Sequence, residues 1–245
     1  MKFGFSILVV FSSLVALNAK ADLAHDLLLA SDQGRGGIEE GLAWTIKITT
    51  TEDGETTERE FFVQAKDHDA LVEATAPPRN KGEVFLFNDR MMWFYKPGLK
   101  KPVGISARQK LSGQAANGDI ASTHYARDYS ATLQGTDTFN GEKMQILRLK
   151  AKTENLTYDQ INYWISEKTK LARKAEFLTL QGTVFKIGEL DYQNQLLLAG
   201  KQIPFVSRLK ITDAKFPENI STIEYSKPKV VTLPTGLFNI NRLSR

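Results

Sequence analysis

The sequence contains no cysteine. No disulfide holds the fold, and thiolate nucleophiles and Cys-ligated metals are excluded. Histidine is scarce as well. The chain has His25, His68 and His124, and none stands in the HExxH or paired spacing that zinc needs. No GxSxG elbow is present. The carboxylates are scattered, with no pair that marks acid–base hydrolysis. A Ser-His-Asp grouping is defined by geometry, so Asp119 and His124 facing Ser106 or Ser122 is left for three dimensions to decide. There is no Pro-, Gly- or Ser-rich linker, no fixed-period repeat and no alternation of strand and helix patterns, which argues against a doubly wound sheet. The sequence supplies no catalytic residue, no metal site and no cofactor motif.

Long hydrophobic runs are also missing. The one apolar stretch, Phe5 to Leu17, falls short of the roughly 20 residues a bilayer-spanning helix requires. With Lys2 before it and Ala19-Lys20-Ala21 after it, it reads as a secretory signal, residues 1–21, cleaved after Ala21. The expectation is export to the periplasm of a Gram-negative bacterium, with residues 22–245 as one domain. No cysteine follows the signal to carry a lipid anchor. Loss of Lys2 and Lys20 lowers the formal charge from +4 to +2, too little for general nucleic-acid binding.

What is present is a strand rhythm. Asp22 to Asp32 reads as a short helix with Leu23, Leu27 and Ala30 on one face, ended by Gly34, Gly36 and Gly37. Leu42, Trp44, Ile46 and Ile48 then alternate with polar neighbours, and Asp53-Gly54 is a hairpin turn. Phe61, Val63 and Ala65 follow, then Ala70 to Thr75, then an aromatic hairpin around Asn88-Asp89. Further strands begin near Ala131, Met144, Asp159, Lys170, Thr183, Ser207 and Asn219, with Asn140-Gly141 a second two-residue turn. The fold class is mainly β (α+β): a single curled antiparallel sheet of about eleven strands, which must curl or close to hide its edges. The Gly- and Ala-rich segment Ser106 to Arg127 interrupts it.

Two patterns point to binding. Between Arg79 and Lys110 the basic residues Arg79, Lys81, Arg90, Lys96, Lys100, Lys101, Arg108 and Lys110 face only Glu83 and Asp89, a local balance of +6. This suits a solvated face, or a docking surface for anionic headgroups or an acidic partner. Trp44, Phe61, Phe85, Phe87, Trp93, Phe94, Tyr95 and Trp164 cluster in strands. They fit a filled core, or an apolar cavity like those of ligand-holding barrels.

The central block carries a resemblance. Pro78-Arg79-Asn80-Lys81-Gly82, Met92-Trp93-Phe94-Tyr95-Lys96-Pro97, Lys101-Pro102-Val103-Gly104-Ile105-Ser106 and Gly113-Gln114-Ala115-Ala116-Asn117-Gly118-Asp119-Ile120-Ala121 resemble the outer-membrane lipoprotein-sorting protein family, within the LolA/LolB-like superfamily of periplasmic lipid and lipoprotein carriers. The resemblance is dense over residues 77–135. It implies an incomplete β-barrel with a helical lid, no catalytic residue, and a cavity for the acyl chains of a lipid or lipoprotein. It also implies delivery toward an outer-membrane acceptor, an RND/MMPL-type exporter as partner, and transient contact with a membrane surface. An Arg inside the sheet controls the lid in that superfamily, and Arg79 and Arg90 are the nearest by position.

Mapped onto the sequence, Ser106 to Arg127 is the lid, with Ile105, Leu111, Ala115, Ala116 and Ile120 its apolar contacts. Its small residues let it shift without a large packing loss. The expected cavity lining is Trp44, Ile46, Ile48, Phe61, Val63, Leu86, Met92, Trp93, Phe94, Tyr163 and Ile165. Both faces of the aromatic hairpin are apolar, so Phe85, Phe87, Trp93 and Tyr95 are the alternative lining. Arg79, Lys81, Arg90, Lys100, Lys101 and Arg108 form the expected rim and docking set. The rival function is a periplasmic adaptor that senses lipid or lipoprotein and signals through a protein partner.

Overall fold

The computed structural model describes residues 8–121 and 124–243, with side chains from residue 20 onward. The helix α1 (Leu8–Gln33) leads into β1 (Leu42–Glu52), β2 (Glu55–Lys66), β3 (Asp69–Ala76), β4 (Val84–Asn88), β5 (Met91–Tyr95) and the short β6 (Val103–Ile105). The interrupting segment holds β7 (Lys110–Ser112), β8 (Ala115–Ala116), a 3-10 turn at Asn117–Ile120 and α2 (Tyr125–Asp128). The second half runs β9 (Tyr129–Phe139), β10 (Glu142–Ala151), β11 (Gln160–Ser166), β12 (Ala172–Leu178) and β13 (Val184–Asp191). It ends with β14 (Asn194–Leu198), β15 (Lys201–Phe205), β16 (Arg208–Asp213) and β17 (Ile220–Val230).

Thirteen of these strands form one antiparallel sheet, ordered β6-β5-β4-β3-β2-β1-β17-β16-β13-β12-β11-β10-β9. The expected fold class, one curled sheet that does not close, is the observed one. Local turn chemistry sets the meanders. Asp53, Asp67, Asp89 and Asn140 all take positive φ at hairpin tips, where Asp and Asn are tolerated better than most side chains. The sheet is not one continuous meander, however. β1 pairs with the last strand, β17, so two meanders are joined at the centre and the free edges are β6 and β9. The chain from β6 to β9 is the interrupting segment itself. It therefore links the two edges of the open sheet.

The inner face carries two apolar clusters. Strands β1 to β5, with β16 and β17, contribute Trp44, Ile46, Ile48, Phe61, Val63, Val72, Phe85 and Ile223 to the first. The hairpin β14–β15 adds Leu196 and Phe205, and the interrupting segment adds Ala115 and Ile120. Strands β9 to β12 form the second cluster, covered by Ala24, Leu27 and Leu28 of α1 and by Tyr125 and Ala126 of α2. The apolar stripe of the N-terminal helix is thus explained by what it buries.

The sequence-based helix Asp22 to Asp32 is the end of a longer one, since α1 runs on from Leu8. The start of the expected signal, including Lys2 and Phe5, lies outside the described residues. Among the described residues no helix is long and apolar enough to cross a membrane.

Candidate functional site: the half-barrel and its cover

The cover of the inner face is built for close approach. Gly113 has φ +52, and a Cβ there would collide with the Thr50 and Ser221 side chains. A Cβ on Gly118 would collide with Thr157. Glycine at these two positions lets the backbone sit against the sheet and against the β10–β11 loop. The expected helical lid is thus corrected in form. Among the described residues of the segment only Asn117–Ile120 and Tyr125–Asp128 are helical, because the glycine turns and the β7–β8 pairing break the rest.

Polar groups hold the cover down. Ser221 Oγ accepts the Gln114 N–H (2.8 Å), donates to the Ser112 carbonyl (3.1 Å) and meets Thr50 Oγ1 at 3.0 Å. Lys186 Nζ donates to the Gln114 carbonyl at 2.6 Å. Asp119 accepts the Ala116 N–H at 2.8 Å and the Tyr158 hydroxyl at 2.9 and 3.0 Å. Ion pairs tie the margins: Arg108 to Asp159 (2.6 Å), Lys110 to Glu52 (2.7 Å), Arg90 to Asp128 (3.1 Å) and Arg127 to Asp89 (2.8 Å). The apolar contacts are small by comparison. Ala115, Ala116 and Ile120 are buried, while Ile105 and Leu111 pack half-buried.

The sequence-derived lining residues fall into three groups. Trp44, Ile46, Ile48, Phe61, Val63, Met92 and Phe94 share the first cluster. Tyr163 and Ile165 are on the inner face too, but in the second cluster, beneath α1 and α2. Leu86 and Trp93 are a correction. Phe85 pairs with Phe94 and Phe87 with Met92 across the aromatic hairpin, whereas Leu86 pairs with Trp93. Side chains alternate along a strand, so the inner set is Phe85, Phe87, Met92 and Phe94. Trp93 instead borders an outer cleft with Phe238 and Ile240 of the C-terminal segment.

The pocket at the edge of the cover, between Phe87, Met92, Ala107, Ala121 and Leu156 on one side and His68, Asp89, Arg90 and Arg127 on the other, has a space of about 40 Å³. Ligand pockets usually measure about 300–1,000 Å³. In this conformation the clusters are filled by α1, the β14–β15 hairpin and the cover itself.

The rim residues divide as well. Arg90 and Arg108 are engaged in the ion pairs above. Arg79, Lys81, Lys96, Lys100 and Lys101 are exposed and make no ion pair among the described residues. They sit on two neighbouring loops, since a Cβ on Gly82 would lie 3.0 Å from the Pro97 ring. Glu83, which nominally offsets them, is taken by Arg59 at 2.6 Å.

No triad forms around Ser106. Asp119 is bound to Tyr158 and Ala116, and His124 meets His68 with ring centroids 4.5 Å apart. Ser122 lies outside the described residues. Burial pushes the Asp119 carboxyl above its usual range, opposed by Lys186, the Ala116 N–H, Tyr158 and Arg35. Burial likewise lowers Lys186, opposed by Asp119. Asp32 is pushed up to about 7 by burial, against the Ala126 N–H bond and the charge of Arg35.

Sequence reasoning missed Arg35, which it passed over between two glycines. Arg35 is buried, donates to the Tyr163 hydroxyl at 3.3 Å and stacks 4.4 Å from the Tyr125 ring. Arg79 is exposed and Arg90 is at the margin, so the buried arginine of the interior is Arg35. The hairpin β14–β15 was missed too. The spacing of a charged residue so close after the helical stripe was the one available signal for Arg35.

The fold has counterparts. Residues 66–245 match the model of a family described as "Uncharacterized protein". The chain belongs to that family. No curated protein matches it. Among solved structures, a LolA superfamily protein from Nitrosomonas europaea is 26% identical, with a TM-score of 0.79 over 89% of this chain and 98% of that one. A DUF1329 family protein from Desulfovibrio piger is 19% identical, with a TM-score of 0.77 over 91% and 99%. A Vibrio parahaemolyticus domain assigned by its name to outer-membrane lipoprotein sorting is 18% identical, with a TM-score of 0.77 over 92% and 100%. The fold is that of the LolA superfamily, as the central block of the sequence implied.

Proposed function

We propose that this protein is a periplasmic carrier that takes the acyl chains of a lipid or lipoprotein into its half-barrel and delivers them toward the outer membrane. The observation that carries this reading is the cover. A segment linking both edges of an open sheet covers an inner face that carries two apolar clusters, and it is fastened mainly by polar bonds and by alanines. Lifting it exposes apolar sheet at a small packing loss of its own. Each acyl CH₂ that then replaces it is worth about 0.8 kcal/mol. No bond is made or broken, and direction comes from an acceptor that binds the cargo more tightly. An outer-membrane acceptor and an RND/MMPL-type exporter are the partners this reading expects.

Removal of residues 1–21 suits the packing. Among the described side chains of α1, from Lys20 onward, the first buried one is Ala24, so a cut after Ala21 keeps Ala24, Leu27 and Leu28 in the remaining domain, residues 22–245. The five cations of the two loops, without an ion pair among the described residues, would meet an anionic headgroup or a docking partner, with Lys100 and Lys101 foremost. The experiment is direct. Protein purified from its native periplasm should yield lipid by mass spectrometry, and the delipidated form should bind a fluorescent fatty acid. A well-folded sample that does neither would sink the carrier reading.

A further inference from the structure

The Asp119 carboxylate stands apart from the other fastenings of the cover. It is buried, and it is gripped as a ligand would be. The Tyr158 hydroxyl lies 3.0 and 2.9 Å from its two oxygens. The charges of Lys186 and Arg35 act on it from the body of the protein.

These three groups do not belong to the cover. Tyr158 is held by stacking on Phe177, ring centroids 3.9 Å apart. Lys186 projects from β13, and Arg35 from the turn that ends α1, with its guanidinium against Tyr163 and Tyr125. The carboxylate, by contrast, is on the 3-10 turn Asn117–Ile120 and must leave when the segment lifts.

Its departure has an electrostatic consequence. Lys186 makes no ion pair of its own among the described residues, and its bond at 2.6 Å is to the Gln114 carbonyl, which is also on the cover. An opened cover therefore takes Asp119 and the Gln114 carbonyl away from this ammonium and leaves it the charges of Asp213 and Glu52 on the sheet, in a setting where burial disfavours charge. Tyr158 loses its acceptor in the same movement. The open form is left with a fixed hydroxyl and the Lys186 ammonium beside apolar walls on either side. Phe177 belongs to the second cluster, and Leu190, on the same strand as Lys186, to the first.

We propose that Asp119 is a built-in stand-in for cargo: in the closed molecule its carboxylate occupies a binding site for the anionic headgroup, carboxylate or phosphate, of a lipid whose chain enters the half-barrel. The inference rests on the carrier reading and adds the chemical class of the cargo. It also supplies the energetic bias that opening needs. A ligand shifts a conformational equilibrium only by its preference for one state, and an anion that takes the place of Asp119 beside Tyr158 and Lys186 binds the open state alone.

The test uses the delipidated full-length mature protein, with dodecanoic acid, dodecanol, acetate and inorganic phosphate as probes in a displacement assay. The expected result is that the acid binds at least about tenfold more tightly than the alcohol, as charge-assisted hydrogen bonds require. That ratio should collapse toward one in Lys186→Met and fall in Tyr158→Phe, and it should rise in Asp119→Asn, where the competing charge is gone. Tyr158→Phe keeps the stacking ring and guards against a misfolded Lys186 variant, with thermal melts reported for each. Equal binding of acid and alcohol by the wild type, or an unchanged ratio in both body variants, overturns the headgroup site while leaving the carrier reading intact. Acetate or phosphate binding as tightly as the acid would assign a free-anion site and overturn it too. Failure of both chain-bearing probes would bring down the carrier reading and this inference together.

Discussion

Gly118 offers the sharpest handle on the cover. Its backbone rests against Thr157, and an added Cβ would overlap that side chain. Overpacking a tight contact costs about 1–3 kcal/mol. Here the overlap can be relieved by lifting the segment, so Gly118→Ala should move the closed–open balance by about 5- to 150-fold toward open. Apparent affinity scales with the fraction of molecules competent to bind, so binding of a fluorescent fatty acid should tighten by the same factor until the open form dominates. The melting temperature should fall by about 2–4 °C for each kcal/mol lost, as for domains of this size. Proteolysis should cut within residues 106–121 faster than in the wild type. Thr157→Gly in the same chain removes the obstructing side chain and should restore the wild-type affinity. Weaker fatty-acid binding by a folded Gly118→Ala, or a double variant that behaves as the sum of the singles, would refute the reasoning.

Other expectations follow from the same geometry. Asp32 has its carboxyl at about 7 in the fold against an ordinary 3.8. A raised folded value means the native state holds its proton more tightly, so stability is full below pH 4 and is lost as pH rises from about 4 to 7, on the order of 4 kcal/mol in all. Asp32→Asn, which keeps an acceptor for the Ala126 N–H, should match the wild type at pH 4 and exceed it at pH 8 in chemical denaturation. A pH-independent difference would contradict the assignment. Phe94→Ala should weaken acyl-chain binding by removing inner-face area, whereas Trp93→Ala, on the outer face, should leave it within twofold. Lys100→Glu with Lys101→Glu should abolish salt-sensitive flotation with anionic vesicles and leave fatty-acid affinity unchanged. Retained flotation would remove those loops from docking.

Much of the architecture was legible because local rules sufficed. Alternation placed Trp44, Ile46, Ile48, Phe61 and Val63 on one face, and all are buried together. Asp53-Gly54 and Asn140-Gly141 turned the chain where their positive φ values show they must. The Gly- and Ala-rich segment was recognisable as something other than strand. Its bonds to Ser221, Lys186 and Tyr158 were not, because those partners lie far along the chain. The hairpin β14–β15 escaped notice for a related reason. Polar Gln193, Asn194 and Gln195 and Pro204 blur its alternation, yet it is held by Asn194 Nδ2 bonds to the Val206 and Tyr225 carbonyls. The aromatic hairpin was ambiguous in principle. Both its faces are apolar, and only tertiary packing shows which is which: Phe85, Phe87, Met92 and Phe94 join the inner cluster, while Trp93 borders the C-terminal segment.

By itself the sequence determined the antiparallel strands, their turns, the absence of thiol chemistry and the position of the cover, since each depends on periodicity or on residue type. The tertiary structure decided the rest. It paired β1 with β17 and so set the two open edges. It filled the inner face with α1 and a hairpin, and it brought Arg35, Tyr158 and Lys186 around Asp119. Burial and long-range electrostatics depend on which distant segments meet, and no local pattern encodes that meeting.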